Sequence, residues 1–166
     1  MNNSVTLLAV SLSSKEQAAD LESQRKAANA ITDPAEKKDK LTELRKSETA
    51  AVNEAVSNAN TEANIKKMDN QQRESLIAGA YNFMLALLQD KALLEQGKGL
   101  VTSLSTNPMN ISKVGGLKDS ISSLTNQVSA ASSIAGKMPA IFTAVGVKPP
   151  TSKEDKAKTT AQVVGE

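Results

Sequence analysis

The residues of this chain that could do acid–base chemistry are carboxylates and lysines, because histidine and cysteine are both absent. Their absence removes thiolate nucleophiles, imidazole bases, Cys/His metal sites and any disulfide framework. Glu36 with Asp39, Glu43 with Glu48, and Glu154 with Asp155 are close enough in sequence to act as acid and base. Such work needs one carboxyl in an apolar setting that raises its pKa, and each pair sits among polar neighbours. They read as solvated helix surface, with Glu36 and Lys40 as an i,i+4 pair. Gly97-x-Gly99 and Gly115-Gly116 lack the strand, turn and terminal Lys-Ser or Lys-Thr of a phosphate loop, so they read as caps and close helix contacts. Lys37-Lys38 and Lys66-Lys67 are short, and 20 basic residues against 18 acidic leave a net charge of +2. Without a cationic stripe or interleaved aromatic residues, nucleic acid is not an expected partner. Tyr81 reads as a core-edge residue whose hydroxyl reaches a polar partner. No catalytic, cofactor-binding or metal-binding residue is expected, and the chain reads as a non-enzyme.

The elements that position these groups are helical. Residues 73–104 hold the densest apolar content, with Leu76, Ile77, Ala80, Phe83, Met84, Leu87, Leu88 and Leu94 at helical spacing. That apolar face is wide enough to pack on more than one side. A second segment, 111–147, carries Val114, Leu117, Ile121, Leu124, Val128, Ala131, Ala135 and Met138 in alternating steps of three and four, a heptad-like register that continues to Phe142 and Val145. Its other positions are mostly Ser, Gly, Asn, Thr and Ala, with few charges, whereas a solvated helix face usually carries more.

Punctuation divides the rest. The apolar run in 1–12 reads as a strand or an anchoring segment docked on the helices. Ser13 or Ser14 opens a helix by a capping box with Glu16 or Gln17. Asp33-Pro34 supplies an N-cap and a first-turn proline, with Glu36 completing the pattern. From there to residue 96 helix formers dominate, with breaks placed at 57–64 and around Asp69 and Asn70, where Asn60 or Asn70 would cap a new helix. Gly97 and Gly99 read as C-terminal signals, and 105–110 as a loop.

The expected fold is all-α: an elongated helical bundle with a long central helix and an antiparallel helical hairpin. It comprises a single helical domain, 1–147, with a peripheral helix 13–31, a long helix 34–68, an apolar helix 71–97 and a heptad-like helix 111–138, followed by a polar segment, 148–166, that reads as a flexible tail or a strap over the bundle surface. With aromatic residues at 2%, the core must come from aliphatic side chains. Small side chains bury little area each, at about 25 cal/mol per Å².

The functional expectation is a structural or interaction subunit. It would self-associate or dock through its apolar helices into a larger envelope, secretion, filament or virion assembly. The expected packing and interaction residues are Leu76, Ile77, Phe83, Met84, Leu87, Leu88 and Leu94 on one helix, and Leu117, Ile121, Leu124, Val128 and Met138 on the other. Partners would be further copies or other protein subunits, in a periplasmic, extracellular or virion-associated setting. The alternative is a membrane-active, pore-forming or translocator-like helical protein. Membrane contact is less favoured because the uncharged run 75–89 is shorter than the ~20 residues a span needs.

Overall fold

The computed structural model describes residues 2–106 and 111–158. Most of the 105–110 loop and the last part of the 148–166 tail lie outside the described residues. Seven helices and no strand occur among the described residues: α1 (Asn2–Leu12), α2 (Lys15–Ala30), α3 (Pro34–Ser57), α4 (Thr61–Lys66), α5 (Asn70–Ser105), α6 (Ile111–Ala135) and α7 (Met138–Val145). The all-α class is as expected, and the long central helix is α5.

Local chemistry starts the helices where the sequence places the caps. The Ser14 hydroxyl accepts from the Gln17 amide while the Gln17 side chain accepts from the Ser14 amide. Asp33 caps α3 ahead of Pro34. The anticipated break after α3 falls at 58–60, but Asn60 makes no side-chain cap bond. The cap of α5 is Asp69, in a capping box with Gln72. The long helix expected over 34–68 is thus two helices.

Two boundaries differ from expectation for a packing reason. Residues 2–12 form a helix, not a strand. A short apolar run without charges fits either, and burial settles it: Leu8 and Ala9 are fully covered, and Ser4 and Ser11 are nearly so. Nor does α5 stop at Gly97; it continues to Ser105. A Cβ at Gly97 would come within 3.1 Å of Ile121 Cγ1, so this glycine marks a close approach to α6 and not a helix end.

At 36 residues, α5 is about 54 Å long. It is the axis of the molecule. α1 lies against its first half, α6 returns antiparallel along it, and α7 reaches its start, where the Arg73 guanidinium donates to the Val145 carbonyl at 3.0 Å. The heptad register of α6 breaks at Gly136 and Lys137, and α7 leaves at 49°. Gly146, at φ 74°, ends α7 in the left-handed region that suits glycine. The core is one cluster, with Leu8 from α1, Leu44 and Val52 from α3, Leu76, Phe83 and Leu87 from α5, Ile134 from α6, and Met138, Ile141 and Phe142 from α7.

Gly79 sets how closely α1 approaches α5. A Cβ there would lie 3.1 Å from Leu7 Cβ and 3.1 Å from the Leu8 backbone nitrogen, whereas one at Gly99 would meet nothing within 4 Å. Gly79→Val should therefore push α1 off its seat and cost about 2–3 kcal/mol. Gly99→Ala should stabilise by about 0.5–1 kcal/mol through helix propensity alone. Urea midpoints measured on both variants should move in opposite directions.

Candidate interaction surface

The two helices of the hairpin are covered unequally along their length. Leu76, Phe83, Leu87, Val128 and Met138 belong to the core cluster, and Ile77, Met84 and Leu124 are half-buried against it. Leu94 is buried, and Leu88, Leu117 and Ile121 are half-buried. Of the residues singled out in the sequence, those near the base of the hairpin thus serve the core. Those toward its far end border open surface.

That far end carries two residues that sequence reasoning passed over. Leu93 is 56% exposed and Leu100 is 50% exposed. Leu93, Gly97, Leu117, Ile121 and Leu124 line an open groove of ≈ 590 Å³ between α5 and α6. A signal existed. Leu93 and Leu94 are adjacent, about 100° apart on a helix, so only one of them can face the core. Asp119 is the charged residue in the lining of that groove, beside Ser120, Ser123 and Gln127.

Hydroxyls keep the surrounding surface weakly polar. Ser120 donates to the Gly116 carbonyl, Thr125 to Ile121, Ser132 to Val128, Thr102 to Lys98 and Ser105 to Val101. These side chains bond back to their own helix. Covering such a face strands fewer polar groups than covering one of lysines and glutamates would.

A polar cluster is buried at the other end of the molecule. Glu48, read from sequence as solvated surface, is 1% exposed. The Arg25 guanidinium meets its Oε1 at 2.8 Å, and the Thr6 hydroxyl donates to its Oε2 at 3.1 Å while accepting from Arg25. The sequence pairs Glu48 with Glu43. In the fold α1 covers Glu48, whereas Glu43 stays in solvent, its pKa lowered by the hydrogen bond and charge of Lys40. The cluster joins α1, α2 and α3, although the Arg25 Nε is buried without a hydrogen-bond partner. It is a structural tie between three helices. Among the described residues no group of three or more His, Cys, Asp or Glu side chains is placed to hold a metal ion.

On the opposite flank of α5, residues 147–158 lie along the helix. The Asn82 side-chain amide accepts from the Lys158 backbone N–H at 2.7 Å and donates to the Lys158 carbonyl. Gln89 donates to the Lys153 carbonyl at 3.1 Å. The Lys158 ammonium stands 5.0 Å from the centre of the Tyr81 ring. The Tyr81 pKa is raised, first by burial and then by the charge of Asp155.

The buried ion pair generates a direct test. Arg25→Ala leaves the Glu48 carboxyl covered without its cationic partner and should cost about 3 kcal/mol. Replacing both groups by apolar ones of similar size, Arg25→Met with Glu48→Leu, should recover most of that loss. Chemical denaturation of the single and double variants checks the ordering.

No protein-family model, no curated protein and no solved structure matches the chain.

Proposed function

We propose that this protein is a structural subunit that associates with further copies of itself through the far end of the α5–α6 hairpin. The observation that carries this reading is the exposure of Leu93 and Leu100, at 56% and 50%, beside an apolar groove. Exposed leucines scattered singly need no explanation. These two lie seven residues apart on one helix face, and Leu93 lines the groove with Leu117, Ile121 and Leu124. With Asp119 as its charged lining residue, the groove offers no attraction to nucleic acid or to anionic lipid.

Magnitudes set the strength expected. Burying the exposed half of each leucine contributes on the order of 1 kcal/mol. With groove residues from both copies added, association stays weak and concentration-dependent. An enzymatic role is not proposed, since the titratable cluster is a closed structural tie and Glu43 is solvated.

A second reading, membrane activity, draws on one observation. Among the described residues no single helix is long and apolar enough to cross a membrane, but α6 from Val114 and α7 pass that test together despite their 49° bend. Release of a trapped dye from vesicles at concentrations where the protein stays folded would favour it. Inert vesicles would favour assembly.

For the preferred reading, Leu93→Ser with Leu100→Ser should leave the urea midpoint within about 0.5 kcal/mol of the parent, because neither residue is buried. The same double variant should abolish self-association in sedimentation velocity over a concentration series. A parent protein whose sedimentation does not change with concentration would contradict the reading.

A further inference from the structure

A second, smaller pocket lies where four helices meet. Val5 of α1, Phe83 of α5, and Ala131 and Ile134 of α6 line ≈ 180 Å³ of space beside α3. Phe83 and Ile134 are 0% and 1% exposed, so the floor of this pocket is the core itself. The gap has a cause in residue size. At this level α6 offers Ala130 and Ala131, side chains too small to fill the space between it and α3. Pockets that hold drug-sized ligands are larger. An apolar cavity of about 150 Å³, however, accepts benzene.

The polar groups of the lining come from two helices. Arg45 and Thr49 lie one turn apart on one face of α3, and Gln127 belongs to α6. Among the described residues, none of these three side chains makes a hydrogen bond or an ion pair. Thr42 and Ser47, on the same helix as Thr49, donate back to the carbonyls of Lys38 and Glu43, but the Thr49 hydroxyl does not. Arg45 is the one charged residue of the lining. The carboxylate a helical turn away from it, Glu48, is taken by Arg25 and Thr6. The guanidinium therefore keeps its charge and its fork of donors for a ligand.

We propose that this pocket binds a small carboxylate whose apolar body is compact, about the size of a six-carbon ring. The ring lies against Phe83 and Ile134. The carboxylate accepts hydrogen bonds from the Arg45 guanidinium, the Thr49 hydroxyl and the Gln127 side-chain amide. Arg45 repels a cationic ligand of the same shape, and an uncharged one leaves it with water alone. Gln127 also borders the groove at the far end of the hairpin, but the proposal does not depend on self-association.

Benzoate is the probe. It is titrated into the isotope-labelled full-length chain to about 10 mM, well above the dissociation constant on the order of 1 mM that so few atoms support. The amide signals of Val5, Thr49, Ala131 and Ile134 should shift together and saturate. Arg45→Gln should weaken binding about tenfold, the worth of a charge-assisted bond at the edge of solvent. It should leave the urea midpoint unchanged, because Arg45 is exposed. Ala131→Leu fills the pocket and should abolish binding. Should that variant fail to fold, Ala130→Leu fills the pocket from an exposed position. Benzyl alcohol keeps the ring without the charge. It should bind the parent and Arg45→Gln alike, about tenfold more weakly than benzoate binds the parent. Benzoate shifts that never saturate would overturn the proposal. So would equal benzoate affinity in the parent and Arg45→Gln, or undiminished binding in a folded variant with the pocket filled. Acetate binding as tightly as benzoate would reduce the site to an adventitious anion on an exposed arginine, and would overturn it too.

Discussion

The constraint on which this structure depends is the circumference of α5. A helix with an apolar stripe on one side needs one layer of neighbours, but α5 is apolar on nearly opposite sides: Leu76, Phe83 and Leu87 on one, Ala78 and Leu85 on the other. Nearly every other element is a solution to covering it. α1, carrying no charged residue between Asn2 and Leu12, is seated against the first half and approaches so closely at Gly79 that a side chain there would collide with its backbone. α6 and α7 cover the core side, and residues 147–158 are bonded to Asn82 and Gln89 on another. The chain spends this cover on the first two-thirds of α5. Beyond Leu94 the helix runs on to Ser105, and there Leu100 meets solvent.

Seating α1 so deeply has a second consequence. An apolar helix laid across α3 would bury Glu48 without a partner, which is costly for a carboxylate. Arg25 from α2 and Thr6 from α1 itself meet that carboxyl, so the same contact fixes the position of all three helices. Buried polar clusters of this kind contribute little net stability but penalise alternative packings. Here the cluster ties Glu48 of α3 to Thr6 of α1 and Arg25 of α2. The aliphatic core, poor in aromatic residues and so in shape, specifies the packing less sharply.

Much of the architecture was legible in the sequence because it is written in local chemistry. Ser14 with Gln17 and Asp33 with Pro34 mark helix starts through bonds within a single turn, and the three-and-four spacing of Val114, Leu117 and Ile121 marks a helix with one face to bury. What was not legible depends on neighbours. The run in α1 has no periodicity to separate strand from helix. Gly97 looks like a helix stop until Ile121 is seen against it. Glu48 resembles the other surface carboxylates until α1 is placed over it. Residues 147–158 have the composition of a solvated tail, and the main-chain bonds that place them leave no trace in residue type. The residues expected to make contacts were read as one set, but they divide in space: Phe83 and Met138 serve the core, whereas Leu117 and Ile121 border the open groove, and the exposed leucines, Leu93 in the groove lining and Leu100 farther along α5, were not among them.

The central claim is that α5 outruns the cover its own chain supplies and that another copy supplies the rest. Hydrogen exchange of the α5 backbone amides, followed by mass spectrometry over a range of protein concentrations, tests it most directly. The account predicts strong protection from Leu76 to Leu94 at every concentration, and protection from Gly97 to Ser105 that rises as the protein is concentrated. Uniform protection along the whole helix, unchanged by concentration, would contradict it.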